Sequence, residues 1–394
     1  MRLKKIRYGI VGVGSQGGFY ARYLTGGMAM MGAAPTNAEL GALCDIDPAK
    51  RTMCEIMYPE VPFFDDYRDM ISSGKVDAIV TTVPHYLHTE MAIYALEHGM
   101  AVMVEKPAGV YAKAVREMNE CAAHHPEVPF GIMFNQRTNK LYQQLRELVA
   151  GGSMGQIRRT NWIINSWWRP DSYYRQSAWR ATWGGEGGGV LVNQAPHQLD
   201  LFQWICGIPC KVYAKVRYGV GRDIVVDNDV TATLTYPNGA TGVFITCTHD
   251  IIGTDRLEID MDGGKIVVED SKKATVYRLK RFENDINATI KQEETSRLFM
   301  GGGEGKIYDV EEFENTDGWG VQHGQVLTNF AAHILDGTPL LAPGSDGING
   351  VNLANAILLS SWLGREVDLP VDEDLYLAEL NKRIAQEGKY PTRN

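Results

Sequence analysis

A lysine placed directly after an apolar run is the residue of this chain best suited to proton transfer. Ala101-Val102-Met103-Val104 has the composition of a buried strand, and Glu105-Lys106-Pro107 follows it at once. Burial disfavours an ammonium ion, so we expect a lowered pKa for Lys106. Neighbouring strand residues point to opposite faces, so Glu105 should point away from the amine. The alternative interpretation of the same residues is that Lys106 is a surface lysine before a turn proline.

Two further side chains could handle the same proton or orient a hydroxyl group. Asn193 and His197 are four residues apart, so both project from one face if residues 193–206 form the predicted helix. The glycine-rich run at residues 184–189 would let a ligand approach the backbone closely. Asn193 could instead be only the N-cap of the helix, although Pro196 lacks the N–H that such a cap would bind.

The start of the chain predicts a nucleotide site. The apolar strand Ile6–Val11 leads into Gly12-Val13-Gly14-Ser15-Gln16-Gly17 and then into a helical stretch. Gly12 permits a tight turn, Gly14 lets a pyrophosphate approach the backbone, and Gly17 permits close helix packing. The phosphates would face the helix N-terminus, beside Ser15 and Gln16.

An acidic residue at the end of the second strand bears on the choice of cofactor. Asp45 follows the apolar residues 40–44. A carboxylate at this point binds the adenosine ribose hydroxyls and repels a 2′-phosphate, so Asp45 favours NAD over NADP. Asp45 could instead be a turn former with Asp47, and the nearby Lys50 and Arg51 leave NADP open as the less favoured cofactor.

These motifs, taken in order, resemble those of the Gfo/Idh/MocA family, the glucose-fructose oxidoreductase and inositol dehydrogenase group. The resemblance covers nearly the whole chain. The matching elements are Gly12-x-Gly14-x-x-Gly17, Asp45, Val83-Pro84-His85-Tyr86-Leu87-His88, Glu105-Lys106-Pro107 and Gly187-Gly188-Gly189-Val190-Leu191-Val192-Asn193-Gln194-Ala195-Pro196-His197-Gln198-Leu199-Asp200.

The resemblance implies an NAD-dependent oxidoreductase that moves a hydride to or from a secondary alcohol carbon of a sugar, polyol or glycoside. Lys106 would be the general acid/base, with His197 as its partner. Relatives carry an aspartate where this chain has Asn193, which would here orient a hydroxyl. Two alternatives remain: an enzyme that recycles bound NAD to cleave glycosides by oxidation and elimination, and a non-catalytic sugar or NAD sensor.

The resemblance also implies which residues surround the nicotinamide half of the cofactor. The family has Thr-Pro-Asn-x-x-His where this chain has Val83, Pro84, His85 and His88, so two of these positions depart from the pattern. Glu105 completes the expected cofactor-binding set. His88 could instead be a helix-start residue paired with the backbone.

The substrate class is indicated by aromatic residues. Six of the eight tryptophans lie between residues 162 and 204, several in loop-like segments with arginines. Sugars present apolar C–H faces and a rim of hydroxyls, which suits aromatic rings edged by donors. We therefore expect a carbohydrate to contact Lys106, Arg137, Tyr174, Trp179, Arg180, Asn193 and His197. His323 could reach the same pocket.

The order of patterns predicts two domains. Strands alternate with helices over residues 1–134, which is typical of a Rossmann domain with a parallel sheet. Residues 135–394 read as an α+β domain with a large, mostly antiparallel sheet. One face of that sheet should be open, so a homodimer or homotetramer interface is expected there. Residues 283–320 read as an irregular surface insertion.

Composition excludes several classes of protein. The net charge of −9 and pI near 5.6 argue against nucleic-acid binding. No apolar run reaches the ~18 residues of a membrane span, and the early first strand leaves no room for a signal peptide. Six scattered cysteines fit reduced thiols in a cytoplasmic protein, and no metal site is predicted.

Overall fold

The computed structural model describes residues 5–27, 35–299, 307–315 and 321–387, and it contains two β-sheets. The first sheet has the strand order β3-β2-β1-β4-β5-β6, and all of its pairings are parallel. This is the predicted Rossmann arrangement. Its strands are β1 (Ile6–Val11), β2 (Ala38–Cys44), β3 (Phe63–Phe64), β4 (Ala78–Thr81), β5 (Ala101–Val104) and β6 (Phe130–Ile132).

Helices cover both faces of the parallel sheet. Alternate residues of β1 and β4 pack into two separate apolar clusters, because successive strand side chains point to opposite faces. The five helices of this part are α1 (Ser15–Leu24), α2 (Pro48–Met57), α3 (Tyr67–Ser72), α4 (Leu87–Glu97) and α5 (Ala112–His124).

The C-terminal part of the chain also packs against the first sheet. Helix α11 (Val321–Asp336) places Leu327 and Phe330 in one of the two apolar clusters. The hydroxyl of Tyr8 in β1 donates a hydrogen bond of 2.7 Å to the backbone oxygen of Leu327. The division of the chain at residue 135 stays a prediction.

The second sheet has nine strands in the order β14-β13-β12-β11-β7-β10-β9-β8-β15. Strands β7 and β10 pair in parallel, and the other described pairings are antiparallel, as predicted. The strands are β7 (Ile157–Ile164), β8 (Lys211–Tyr218), β9 (Asp227–Thr235), β10 (Thr241–Cys247), β11 (Asp255–Met261), β12 (Gly264–Glu269), β13 (Lys273–Leu279), β14 (Tyr308–Glu314) and β15 (Val367–Asp368).

One face of this sheet is packed and the other is largely exposed. The side chains of Trp162, Phe202 and Phe244 are fully buried on the packed face, between the sheet and its helices. On the open face, Tyr213 and its neighbours along β8 alternate with buried residues. The remaining helices are α6 (Lys140–Ala150), α7 (Asp171–Tyr174), α8 (Pro196–Cys206), α9 (Glu283–Thr289), α10 (Gln292–Phe299), α12 (Gly347–Leu363) and α13 (Glu373–Glu387).

Residues 283–320 were predicted to form an irregular surface insertion. Their described part is mostly exposed, as expected for a surface segment, but the prediction of irregular structure is wrong. That part contains α9, α10 and β14, which pairs antiparallel with β13 at the edge of the sheet. Ion pairs of 2.8 Å between Lys273 and Glu312 and of 3.3 Å between Arg278 and Glu311 join the two strands. The acidic residues of β14 obscured its strand pattern. Residues 300–306 and 316–320 of the segment lie outside the described residues.

No helix in the described ranges has the length and apolar character needed to cross a membrane.

Candidate active site

The predicted motifs meet along one edge of the parallel sheet. Asp45 follows β2, Gly12 follows β1, Val83 follows shortly after β4, and Glu105 and Lys106 follow β5. These four strands are neighbours in the sheet and run in the same direction. The ends of parallel strands form the ligand-binding edge of such a sheet, so the fold brings these residues to one cleft.

Lys106 is held at this edge by a contact with a distant turn. Its Nζ atom donates a hydrogen bond of 3.0 Å to the backbone oxygen of Asn193, and its peptide bond to Pro107 is cis. Burial lowers the pKa of Lys106. The carboxylates of Glu105 and Glu186 oppose this effect without cancelling it, and the positive charges of Arg180 and Arg169 add to it. A lowered pKa makes the basic, neutral amine more accessible at physiological pH.

Glu105 turns its carboxylate toward the protein. It accepts hydrogen bonds from the backbone N–H of Lys106, at 2.9 Å, and from the hydroxyl of Tyr20. Its side chain is buried, and burial raises the pKa of Glu105. These contacts favour an anchoring role for Glu105 over the predicted cofactor contact.

His197 lies in the first turn of α8 with one nitrogen unpaired. Its Nδ1 atom is buried and has no hydrogen-bond partner within the described chain. Burial lowers the pKa of His197 well below its usual value, and repulsion from Lys106 and then from His323 adds to the effect. The Nδ1 atom of His323 in turn lies 3.4 Å from Nδ2 of Asn135. Three nitrogen bases thus act on one another electrostatically.

The helix predicted to begin at Asn193 begins instead at Pro196. Asn193 lies in the preceding turn, where its backbone N–H donates a hydrogen bond of 3.0 Å to the backbone oxygen of Gly189. Proline is favoured at the first helical position because its missing N–H is not needed there. Ala195 is the N-cap, so the predicted helical spacing of Asn193 and His197 was wrong, as was the alternative of an Asn193 cap.

A carboxyl group that the sequence analysis missed lies beside Asn193. Oε1 of Glu186 accepts a hydrogen bond from the Asn193 side-chain amide, and Oε2 accepts one of 2.6 Å from the backbone N–H of Ala181. Arg180 lies 3.6 Å from the same carboxylate. Glu186 is 1 % exposed, and burial raises its pKa to about 7. Its one signal in the sequence is a single acid within a run of glycines.

The contacts of Arg137 favour a structural role, and its predicted contact with substrate stays a prediction. Its guanidinium donates hydrogen bonds of 2.9 and 2.6 Å to Asp200 and one of 2.6 Å to Asp346. The Arg137 side chain is only 3 % exposed. Its three guanidinium nitrogens are therefore engaged in a buried ion cluster that joins distant parts of the chain.

The contacts of Tyr174 likewise favour a structural role, and its predicted contact with substrate stays a prediction. It is buried in the apolar core, and its hydroxyl lies 2.8 Å from Oγ1 of Thr248. The neighbouring Tyr173 faces the candidate site instead, because its hydroxyl accepts a hydrogen bond of 2.6 Å from Arg180. Trp179 stays a candidate, with its ring 5.9 Å from that of His85.

The glycine motif leaves space where a pyrophosphate would bind. A Cβ on Gly12 would lie 2.6 Å from the backbone oxygen of Thr82, and one on Gly17 would lie 2.0 Å from the oxygen of Gly12. A Cβ on Gly14 would meet nothing within 4 Å, and Gly14 caps α1 without any side-chain hydrogen bond. The N-terminal amides at Ser15 and Gln16 therefore border open space, which fits a bound phosphate.

Asp45 has contacts that fit both interpretations of its role. Its Oδ2 atom accepts a hydrogen bond of 2.7 Å from the backbone N–H of Val13, and its Oδ1 atom accepts one of 3.0 Å from the backbone N–H of Asp47. Each carboxylate oxygen keeps a second acceptor site for a ribose hydroxyl. Arg51 is held 2.6 Å from Asp65, so its charge is partly balanced.

The two histidines after β4 differ in what they offer a ligand. His88 is buried, with Nδ1 2.8 Å from the oxygen of Pro107 and Nε2 2.8 Å from that of Val83. Both ring nitrogens therefore face backbone oxygens of the protein, and the N–H of the neutral ring can donate to one of them, which favours the structural role over the predicted cofactor contact. His85 engages only Nδ1 in the contacts observed, at 2.9 Å from the backbone oxygen of Glu186. Within the described residues, no group of three or more His, Cys, Asp or Glu side chains could hold a metal ion.

Comparison with family models gives two matches that fall on the two sheets. Residues 6–131 match the model described as "Oxidoreductase family, NAD-binding Rossmann fold". Residues 142–267 match the model described as "GFO/IDH/MocA C-terminal domain".

Individual relatives are distant. The chain is 24 % identical over 205 residues to the rhizopine catabolism protein MocA of Rhizobium meliloti, covering 52 % of this chain and 58 % of that protein. It is 30 % identical over 177 residues to the D-glucoside 3-dehydrogenase of Escherichia coli K12, covering 43 % of this chain and 47 % of that protein. The chain thus spans less than two thirds of the length of either relative.

A similar fold occurs in the structure of levoglucosan dehydrogenase in complex with NADH. The TM-score is 0.76 at 18 % sequence identity, and the match covers 93 % of this chain and 100 % of that chain. At this identity the likeness concerns the fold.

Proposed function

The chain belongs to the Gfo/Idh/MocA family of oxidoreductases, and on that basis we propose that it transfers a hydride between NAD and a secondary alcohol carbon of a sugar, polyol or glycoside. The relative named as D-glucoside 3-dehydrogenase supports a carbohydrate substrate. The Rossmann part would occupy residues 1–134 and the substrate part residues 135–394.

The observation that carries the proposal is the position of Lys106. Its amine lies at the ligand-binding edge of the sheet, has a lowered pKa, and is oriented by the backbone oxygen of Asn193. Oxidation of an alcohol requires a base for the hydroxyl proton, and Lys106 would take that proton. The unpaired Nδ1 of His197 would hydrogen-bond the same hydroxyl, and the side-chain oxygen of Asn193 would orient it.

The glycine cradle and Asp45 support NAD as the cofactor. NAD would supply the hydride acceptor. Its pyrophosphate would bind beside Gly12, Gly14 and Gly17 and to the backbone amides of Ser15 and Gln16. Its adenosine ribose would bind to the free acceptor sites of Asp45. NADP is less favoured because Asp45 would repel its 2′-phosphate and because Arg51, one of the two nearby cations, is paired with Asp65 and Glu55. Val83, Pro84 and His85 would border the nicotinamide.

One experiment distinguishes the two alternative functions, the NAD-recycling enzyme and the sensor, from the proposed one. An NAD-recycling enzyme that cleaves glycosides would need the same base, so the Lys106 geometry is compatible with it. A sensor would need no base, and the lowered pKa of Lys106, together with the unpaired Nδ1 of His197, favours catalysis over that role. A cytoplasmic location and a homodimer or homotetramer formed through the open sheet face stay predictions.

The test uses stoichiometric enzyme and NAD with a panel of monosaccharides, inositols and glycosides. Reduction of the bound nicotinamide would be followed by its absorbance, which detects chemistry even without product release. The proposal expects reduction with at least one carbohydrate, and glycoside cleavage in the same samples would identify the recycling alternative. Binding of NADH and sugar without any reduction would support the sensor and contradict the enzyme.

A further inference from the structure

Two arginines stack on one tyrosine ring beside the candidate active site. The guanidinium carbons of Arg169 and Arg180 lie 5.0 and 4.5 Å from the centroid of the Tyr173 ring. The positive charges of both arginines also act on the Lys106 amine and lower its pKa. Two arginines and the Lys106 amine therefore lie close enough to one another to interact electrostatically.

The carboxylates nearby balance this charge only in part. Glu186 lies 3.6 Å from Arg180, but burial raises its pKa to about 7, so it is incompletely ionised at neutral pH. Glu105 is directed at Tyr20 and at the Lys106 backbone. Within the described parts of the chain, Arg169 forms no ion pair shorter than 4.0 Å.

Both arginines also keep a hydrogen-bond donor without an acceptor. The Nε atoms of Arg169 and Arg180 are buried and unpaired with respect to the described residues, as is the indole nitrogen of Trp167. A buried donor on a charged group that finds no acceptor destabilises the protein, because the group has lost its hydrogen bonds to water. A ligand that supplies acceptor oxygens would remove this destabilising effect.

We propose that Arg169 and Arg180 bind an oxyanion carried by the substrate, so that the preferred substrates are acidic sugars or acidic glycosides. The inference rests on the proposed hydride transfer and specifies its substrate class. Carboxylate and phosphate oxygens are the acceptors that a guanidinium binds most strongly. Neutral sugar hydroxyls would leave the positive charge of Arg169 and Arg180 unbalanced.

The experiment compares substrates that differ only in the anionic group. Glucose, glucuronate and glucose 6-phosphate form one set, and methyl glucoside and methyl glucuronide form another. Calorimetric binding to the NADH-loaded protein and single-turnover reduction of NAD would be measured for each. We expect an acidic member of a set to bind at least about tenfold more tightly than its neutral parent. The acid that binds most tightly identifies the anion as carboxylate or phosphate.

Variants test whether Arg169 and Arg180 cause the preference for acidic substrates. Arg169→Met and Arg180→Met should each reduce the acid-to-neutral ratio by about tenfold or more. Arg175→Met is the matched control, because Arg175 is exposed in the same loop and should keep the ratio. Arg180→Lys keeps the charge and guards against a folding defect, and it should retain part of the preference.

Two results would overturn the inference. One is neutral parents that bind and react as well as the acids in the unaltered protein. The other is an acid preference that survives both arginine variants. The first result would leave the proposed hydride transfer standing. Tight binding of acids without any NAD reduction would instead contradict the proposed function and support the oxyanion site.

Discussion

The Lys106 ammonium and the backbone oxygen of Asn193 are joined by a hydrogen bond of 3.0 Å. The bond connects the end of β5 to the turn before α8, two segments 87 residues apart. The side chain of the same Asn193 binds Glu186. A buried carboxyl group is thereby linked to the candidate base through a single asparagine.

Asn193→Asp should slow hydride transfer. At pH values above the pKa of Glu186, the rate should fall by about tenfold. The substitution replaces the donor that faces Glu186 with a second carboxylate, and the two like charges would repel one another or share a proton. Single-turnover rates measure the effect. Glu186→Gln added to Asn193→Asp restores a donor and should recover most of the rate. An Asn193→Asp enzyme as fast as the unaltered enzyme would show that the link to Glu186 has no role.

Glu186 should make the protein less stable as the pH rises. Its pKa increases from 4.5 to about 7 on folding, so between these values the folded chain holds a proton that the unfolded chain has released. This contribution is complete below pH 4.5 and is lost as the pH passes about 7, to a total of about 3 kcal/mol. Urea unfolding at several pH values checks this. Glu186→Gln should flatten the dependence, whereas Glu60→Gln, at an exposed position, should not.

Arg137→Met should destabilise the fold by about 3–5 kcal/mol, because it leaves buried Asp200 without its partner. Urea unfolding gives the value, and Arg175→Met, at an exposed site, should stay within about 0.5 kcal/mol. Substrate affinity of the folded Arg137→Met protein should be retained. A stable variant with weakened substrate binding would restore the original assignment of Arg137 to the pocket.

The sequence predicts the residues whose role follows from local order along the chain. Gly12, Asp45 and Lys106 each follow an apolar strand, and parallel strands necessarily bring such positions to one edge. The contacts of Arg137 and Tyr174 could not be predicted, because their partners are remote in sequence: 63 and 209 residues away for Arg137 and 74 residues away for Tyr174. A polar residue in a loop has the same sequence whether it faces a ligand or a buried carboxylate.

Glu186 and β14 were missed for different physical reasons. Glu186 stands in a run of glycines, where no periodicity shows whether a side chain is buried. The strand Tyr308–Glu314 is acidic and mostly exposed, and basic partners in β13 balance its charge. Its alternation is therefore too weak to distinguish it from a loop.

Asp45→Asn should raise the use of NADPH relative to NADH. The amide oxygen can still accept the bond from the Val13 N–H, so the turn is kept while the charge that repels a 2′-phosphate is removed. Fluorescence titration with both reduced cofactors measures the ratio, which should change by about tenfold. An unchanged ratio would indicate that Asp45 only shapes the turn with Asp47.

The most direct test of the account is the effect of Lys106→Met on hydride transfer in a single turnover, measured together with NADH binding. With Lys106 as the base, the rate should fall by about 10²–10⁴-fold while NADH binds as before, and the pH dependence of the rate should disappear. Lys113→Met, which removes an exposed amine paired with Asp374, serves as the control and should behave like the unaltered protein. A Lys106→Met protein that transfers hydride at the normal rate would contradict the central claim.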